Sequence, residues 1–107
     1  GTAVRDYIYI DDIIAGLVLL YEREIHSVEV NLGSGVGHSV NELIATLELI
    51  SGRHVQVERL QGMYTGLKRN VLDVDLLKKM TGYRATTSLE EGISRCWAAI
   101  TASTRAH

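Results

Sequence analysis

Apolar residues recur along this chain with two different periods, and the period changes at residues suited to capping a helix. Over Val4 to Ile10, Ile8 and Ile10 alternate with Tyr7 and Tyr9, the two-residue repeat of a strand. Asp11 and Asp12 follow, where a carboxylate can accept the orphan amides of a helix start. Asp12 to Arg23 then carries Ile13, Leu17, Leu20 and Tyr21, with Ile14 and Val18 beside them, which predicts a helix. The same alternation repeats downstream. Ser27 to Leu32 predicts a second strand, and Ser39-Val40-Asn41-Glu42 is a capping box opening a helix that Gly52 ends. His54 to Leu60 predicts a third strand and 61–68 a loop, and 69–72 reads as a brief extended segment. Asp73 caps a short helix, Val74 to Met80, stopped by Gly82. Thr87/Glu90 and Ser88/Glu91 are two overlapping boxes, either of which opens a last helix through Leu89, Ile93, Trp97 and Ile100. The tail from Thr101 is polar and expected to fray.

Strands alternating with helices place the chain in the α/β (α+β) class, with short strands and about four helices. Its 107 residues suit a single domain, 1–107, and are too few for two. Hydrophobic residues at 46% exclude a disordered chain, and 11 Lys and Arg against 13 Asp and Glu exclude a broad nucleic-acid or acidic-membrane footprint. No apolar run spans a bilayer; the longest, Ile13 to Leu20, is interrupted by Gly16. The single cysteine, Cys96, excludes an internal disulfide and fits a reducing cytoplasm. With no proline, the turns must rest on 10 glycines and on Asp, Asn and Ser. About three strands make a thin sheet, and several helices have apolar faces with little in the chain to cover them. The chain also opens without methionine, directly into a strand. The start reads as a piece of something longer or a processed product, and the uncovered faces as a missing partner domain.

Several patterns invite a chemical reading. The glycine-rich Gly33-Ser34-Gly35-Val36-Gly37 stands before a helix, where bare amides can cradle phosphate, and Glu58 follows near the place of a ribose-binding acid. The dinucleotide fingerprint requires G-x-G-x-x-G, however, and Gly37 comes one place early, with His38 in the last position. A tight turn is the plainer reading. Tyr64 and Lys68 have the spacing of a tyrosine base and its lysine, and Ser51 lies upstream, but Gly66 and the lack of apolar period speak against the required helix. His26, His38, His54 and His107 lack metal-ligand spacing. Cys96 and Trp97 read as core. Arg5 is either half of an ion pair with Asp6 or an anion-binding guanidinium, and Arg69, beside Lys68, carries the same two readings.

Four stretches taken in order carry a resemblance. Val4-Arg5-Asp6-Tyr7-Ile8-Tyr9-Ile10-Asp11-Asp12 resembles a signature of the extended short-chain dehydrogenase/reductase family, the nucleotide-sugar epimerases and dehydratases. Asn31 to Leu43, Arg69 to Asp73 with the helix to Tyr83, and Thr86 to Ile93 are similar to the next three segments of that family. The resemblance implies a small C-terminal substrate-binding domain, normally packed on a Rossmann domain absent from this chain. It implies an NAD(P)-dependent nucleotide-sugar epimerase, dehydratase or reductase as parent, with NAD or NADP and the catalytic Ser/Thr, Tyr and Lys in the missing part. This chain alone is then expected to be non-catalytic and to bind no cofactor. Arg5 and Tyr7 match family positions that contact the nucleotide diphosphate, and Arg69 matches a less certain one. The family's Arg-x-Gly-Asp run is replaced by Met63-Tyr64-Thr65-Gly66, with Gly66 and Arg69 closer to GDP-fucose synthase relatives. The nucleotide is therefore left open among UDP, GDP and dTDP. A cytoplasmic homodimer without nucleic acid or membrane is the expectation for the parent. Two other readings compete. One is a stand-alone small α/β binding or regulatory module, and the other a mononucleotide fold built on the Gly33–Gly37 loop.

Overall fold

The structure, a computed structural model, describes residues 1–58 and 66–105. Seven elements follow in order: β1 (Val4–Arg5), α1 (Ile10–Glu22), β2 (His38–Ser39), α2 (Val40–Ser51), β3 (Arg69–Asn70), α3 (Asp75–Thr81) and α4 (Leu89–Arg105). The α/β class and the four helices agree with the sequence. The three strands form one sheet with β1 in the centre, antiparallel to β2 and parallel to β3. Val4 stands opposite Ser39 and Arg69, and Arg5 opposite His38 and Asn70.

The starts of α2 and α4 and the ends of α2 and α3 follow local chemistry, while α1 and α3 start after Tyr9 and Val74 without a side-chain cap, not at the Asp11/Asp12 and Asp73 caps that the sequence suggests. The Ser39 hydroxyl accepts from the Glu42 amide and the Ser88 hydroxyl from the Glu91 amide, so Ser88, not Thr87, caps α4. Gly52 and Gly82 close α2 and α3 in the left-handed conformation. Helix α3 begins at Asp75, one residue later than its period suggests, with the Asp73 carboxylate accepting from the Asp75 amide. The last helix runs on to Arg105, although the polarity after Thr101 predicts fraying.

The strands depart from expectation. The alternation over Val4 to Ile10 yields a ladder only at Val4–Arg5, and α1 starts at Ile10 rather than Asp12. Residues 27–32 and 54–58 form no strand, and Arg59 and Leu60 lie outside the described residues. An alternating segment becomes a strand only when a neighbour supplies ladder partners. The 27–32 segment finds none among the described residues and is held instead by side chains. Asn31 Nδ2 donates to the Asp73 carbonyl, and Leu32 packs on Gly16 of α1, where a Cβ would stand 2.6 Å from Leu32 Cδ1.

The core is correspondingly thin. Leu77 is the one large hydrophobic side chain fully buried among the described residues. Two polar residues are buried with it. Asp12, 7% exposed, accepts from the Thr87 amide at 3.0 Å and the Thr86 hydroxyl at 3.3 Å, tying α1 to the entrance of α4. The Thr81 hydroxyl donates to the Leu77 carbonyl. The Tyr83 hydroxyl donates to the Asp12 main-chain carbonyl, and burial followed by the Asp12 charge pushes its pKa upward. Along the outer side of α1, Ile10, Ile14, Leu17, Val18 and Tyr21 form one stripe and are all exposed. Total accessible surface is 8178 Å², where a compact chain of 11.8 kDa exposes about 5,900 Å². The radius of gyration, 16.6 Å, likewise exceeds the ~13 Å of a compact chain of this length. Cys96, read from sequence as core, is exposed, and Ile100 is 60% exposed. Trp97 is half-buried with the Arg53 guanidinium 5.6 Å from its ring centre. Among the described residues nothing covers Cys96 and Ile100 on helix α4, and this is why spacing alone overstated their burial.

Candidate functional site

The site is built around the C-terminal end of β1. Sequence places Arg5, Asp6 and Tyr7 there, and the loop 33–37 that leads into β2 folds over them. This loop does cradle an anion, and the anion is the chain's own Asp6. Asp6 Oδ1 accepts from the Ser34 amide at 3.0 Å and the Ser34 hydroxyl at 2.5 Å, and Oδ2 accepts from the Gly35 amide at 2.9 Å. The glycines serve this seat. A Cβ on Gly33 would stand 2.9 Å from Asp6 Oδ2 and 2.7 Å from Leu72 Cδ1, and Gly35 takes φ +75°. Burial works against the charge on Asp6. The hydroxyl and amide of Ser34 and the amides of Gly35 and Leu72 outweigh it, so the carboxyl is held below its ordinary value. Phosphate cradling by this loop, the basis of the mononucleotide reading, is thereby disfavoured, because the Ser34 and Gly35 amides already bind a carboxylate. Arg5 Nη1 donates to the Val4 carbonyl at 2.8 Å.

Tyr7 is half-buried and lines an open cleft of about 650 Å³. Ser34, Val36 and His38 form one wall, Thr46 of α2 another, and the segment 85–90 a third. His38 Nδ1 lies 2.9 Å from Glu42 Oε2 across the first turn of α2, and this contact draws the Glu42 carboxyl below its usual range. Arg69 comes from β3, one residue out of register with Arg5 on the parallel neighbour. Alternation therefore sends the two side chains to opposite faces of the sheet. Arg69 is exposed, and its Nη1 lies 3.4 Å from where a Gly37 Cβ would stand, beside Val4 and Val71. Of the three residues singled out, Arg5 and Tyr7 share one strand end, and Arg69 approaches from its neighbour. Met63 and Tyr64 lie outside the described residues, and 66–68 is not helical. Among the described residues no three His, Cys, Asp or Glu side chains converge as a metal site. No described helix is long and apolar enough to cross a membrane.

Two features escaped the sequence reading. The Asp6 seat was signalled by an acid on a strand and a Gly-Ser-Gly turn later in the chain, but only the fold joins them. The His38–Glu42 pair was legible as an i, i+4 contact.

No family model matches the chain. It is 34% identical over 102 residues to a UDP-glucose 4-epimerase of Caenorhabditis elegans, covering 91% of this chain and 29% of that protein. It is 30% identical over 91 residues to a dTDP-4-dehydro-6-deoxyglucose reductase of Escherichia coli, covering 85% and 29%. The crystal structure of UDP-glucose 4-epimerase from Stenotrophomonas maltophila, with bound NAD and formylated UDP-arabinopyranose, superposes with a TM-score of 0.89 at 31% identity. That match covers 99% of this chain and 32% of the other. The chain thus spans about three tenths of the length of the relatives it matches. The four motifs, the helix order and this agreement over nearly every residue make one case: the chain belongs to the extended short-chain dehydrogenase/reductase family and corresponds to its C-terminal part.

Proposed function

We propose that this chain is the substrate-gripping part of an NAD-dependent UDP-sugar 4-epimerase. The observation that carries the reading is the Arg5-Asp6-Tyr7 strand end beside an open cleft. It lies in a fold matched at TM-score 0.89 by an epimerase whose crystal structure contains NAD and a UDP-sugar. Arg5 supplies a guanidinium, whose planar donors suit a diphosphate, and Tyr7 lines the cleft wall. Arg69, exposed on β3, carries its charge on the opposite face of the sheet from Arg5.

In this reading the dinucleotide is held by another part of the enzyme. The one glycine-rich loop lacks the fingerprint spacing, and its Ser34 and Gly35 amides hold Asp6. NAD and the proton-transferring groups therefore belong to an N-terminal part of the enzyme. That part would cover the α1 stripe and supply ladder partners to the 27–32 segment. Dimerisation, as the family resemblance implies, would run through that part too.

In the full-length enzyme, interconversion of UDP-glucose and UDP-galactose is the expected activity. Arg5→Ala should raise the KM for the UDP-sugar substantially while leaving NAD affinity unchanged. An unaltered KM would reduce Arg5 to a structural residue, and absence of epimerase activity in the wild type would overturn the reading itself.

A further inference from the structure

The seat of Asp6 has a consequence for the residues on either side of it. β1 is only two residues long, so the sheet fixes Val4 and Arg5 and stops before Tyr7. Beyond Arg5, no ladder among the described residues holds the backbone until α1 begins at Ile10. What holds the intervening turn is a side chain. Asp6 is fastened by the two Ser34 donors and the Gly35 amide, across 28 and 29 residues of sequence. The fastening is double-sided. It fixes the Arg5–Tyr7 backbone and also the Ser34–Val36 loop, and Tyr7, Ser34 and Val36 all line the same cleft. Ser34 is itself locked, since its hydroxyl accepts from the Val36 amide while donating to Asp6.

We propose that Asp6 is a positioning residue for nucleotide-sugar binding. By clamping the 33–37 loop to the end of β1 it presets Tyr7 and the loop wall of the cleft and fixes the backbone next to Arg5, without touching substrate itself. This rests on the reading of the cleft as a UDP-sugar site. Asp6→Asn keeps one acceptor oxygen and loses the charge, and Ser34→Ala removes the hydroxyl from the other side of the same clamp. A binding group displaced by a fraction of an ångström loses part of its contact with the ligand even in a chain that still folds.

The test uses the full-length enzyme with UDP-glucose, and NAD affinity is measured in parallel. Asp6→Asn and Ser34→Ala should each raise the KM for UDP-glucose roughly tenfold, with kcat changed less than about twofold and NAD affinity unchanged. Thr81→Ala, which loses the hydroxyl bonds to the Leu77 carbonyl and from the Tyr83 amide at residues that do not line the cleft, serves as a control for general destabilisation. A KM rise in Thr81→Ala equal to that in Asp6→Asn at similar loss of Tm would overturn the proposal. So would an unchanged KM in both clamp variants while Arg5→Ala shows a raised one, and this result would leave the substrate reading intact. If the wild-type enzyme does not turn over UDP-glucose or bind UDP, the substrate reading falls first, and the two failures are thereby told apart. Should Asp6→Asn not fold, Ser34→Ala decides alone.

Discussion

Replacing Asp12 with alanine should clearly destabilise the chain, because its buried carboxylate ties α1 to the entrance of α4. Asp12 is 7% exposed and accepts from the Thr87 amide at 3.0 Å and the Thr86 hydroxyl at 3.3 Å. Hydrogen bonds to a charged acceptor contribute about 1.5–3 kcal/mol each, and the longer Thr86 contact belongs at or below the low end. Thr87 is half-buried, so its amide regains only part of its partner from water. The expected loss is therefore about 3 kcal/mol for Asp12→Ala, and about half that for Asp12→Asn, which keeps one acceptor. Urea unfolding of this chain with a slope near ~1.5 kcal/mol/M would read the larger loss as a midpoint shift of roughly 2 M. Hydrogen exchange at the Thr87 amide gives a local reading of the same quantity. Tyr83→Phe sharpens the assignment, because the Tyr83 hydroxyl donates to the main-chain carbonyl of Asp12 and not to its carboxylate. The costs of Tyr83→Phe and Asp12→Ala should nearly add if the carboxylate acts through α4 alone. Losses within about 0.5 kcal/mol for both Asp12 variants would refute the reasoning, since that is the range of a surface substitution.

Other expectations follow from the same contacts. Leu17→Glu lies on an exposed stripe, so it should leave the stability of this chain unchanged within about 0.5 kcal/mol. In the full-length enzyme it should lower Tm markedly, and a null result there by thermal melting would show that the α1 face is uncovered. Gly33→Ala should cost more than about 2 kcal/mol by chemical denaturation, because its Cβ meets Leu72 and the Asp6 carboxylate. Gly52→Ala meets nothing within 4 Å and should cost only the ~1 kcal/mol of a left-handed residue. The Asp6 carboxyl titrates lower when folded than its ordinary value of 3.8, so folding favours its charged form. Its contribution is full above that value and is lost as pH falls through the lower, folded pKa. Asp6→Asn should therefore flatten the acid limb of the stability–pH curve below about pH 4 and shift it little near neutrality, apart from a constant offset.

Local chemistry by itself determined that the chain makes four helices, where α2 and α4 begin and where α2 and α3 end, because capping residues and apolar spacing act within one or two turns. Ser39 with Glu42, Gly52, Gly82, and Ser88 with Glu91 all do in the fold what their spacing implies. The brief extended segment over 69–72 was legible too, at Arg69–Asn70, whereas the end of β1 at Arg5 was not. Tertiary structure decided what depends on partners distant in the chain. Val28 and Val30 have the alternation of a strand and no ladder, since pairing needs a second strand that these residues do not meet. Cys96 and Ile100 have core spacing on α4 and lie in the open, since burial is a property of the opposing layer and not of the helix. The Gly33–Gly37 loop reads locally as a waiting anion site. That its anion is Asp6, 28 residues earlier, is a fact of folding alone, because amide donors specify a charge and a geometry but not which residue brings them.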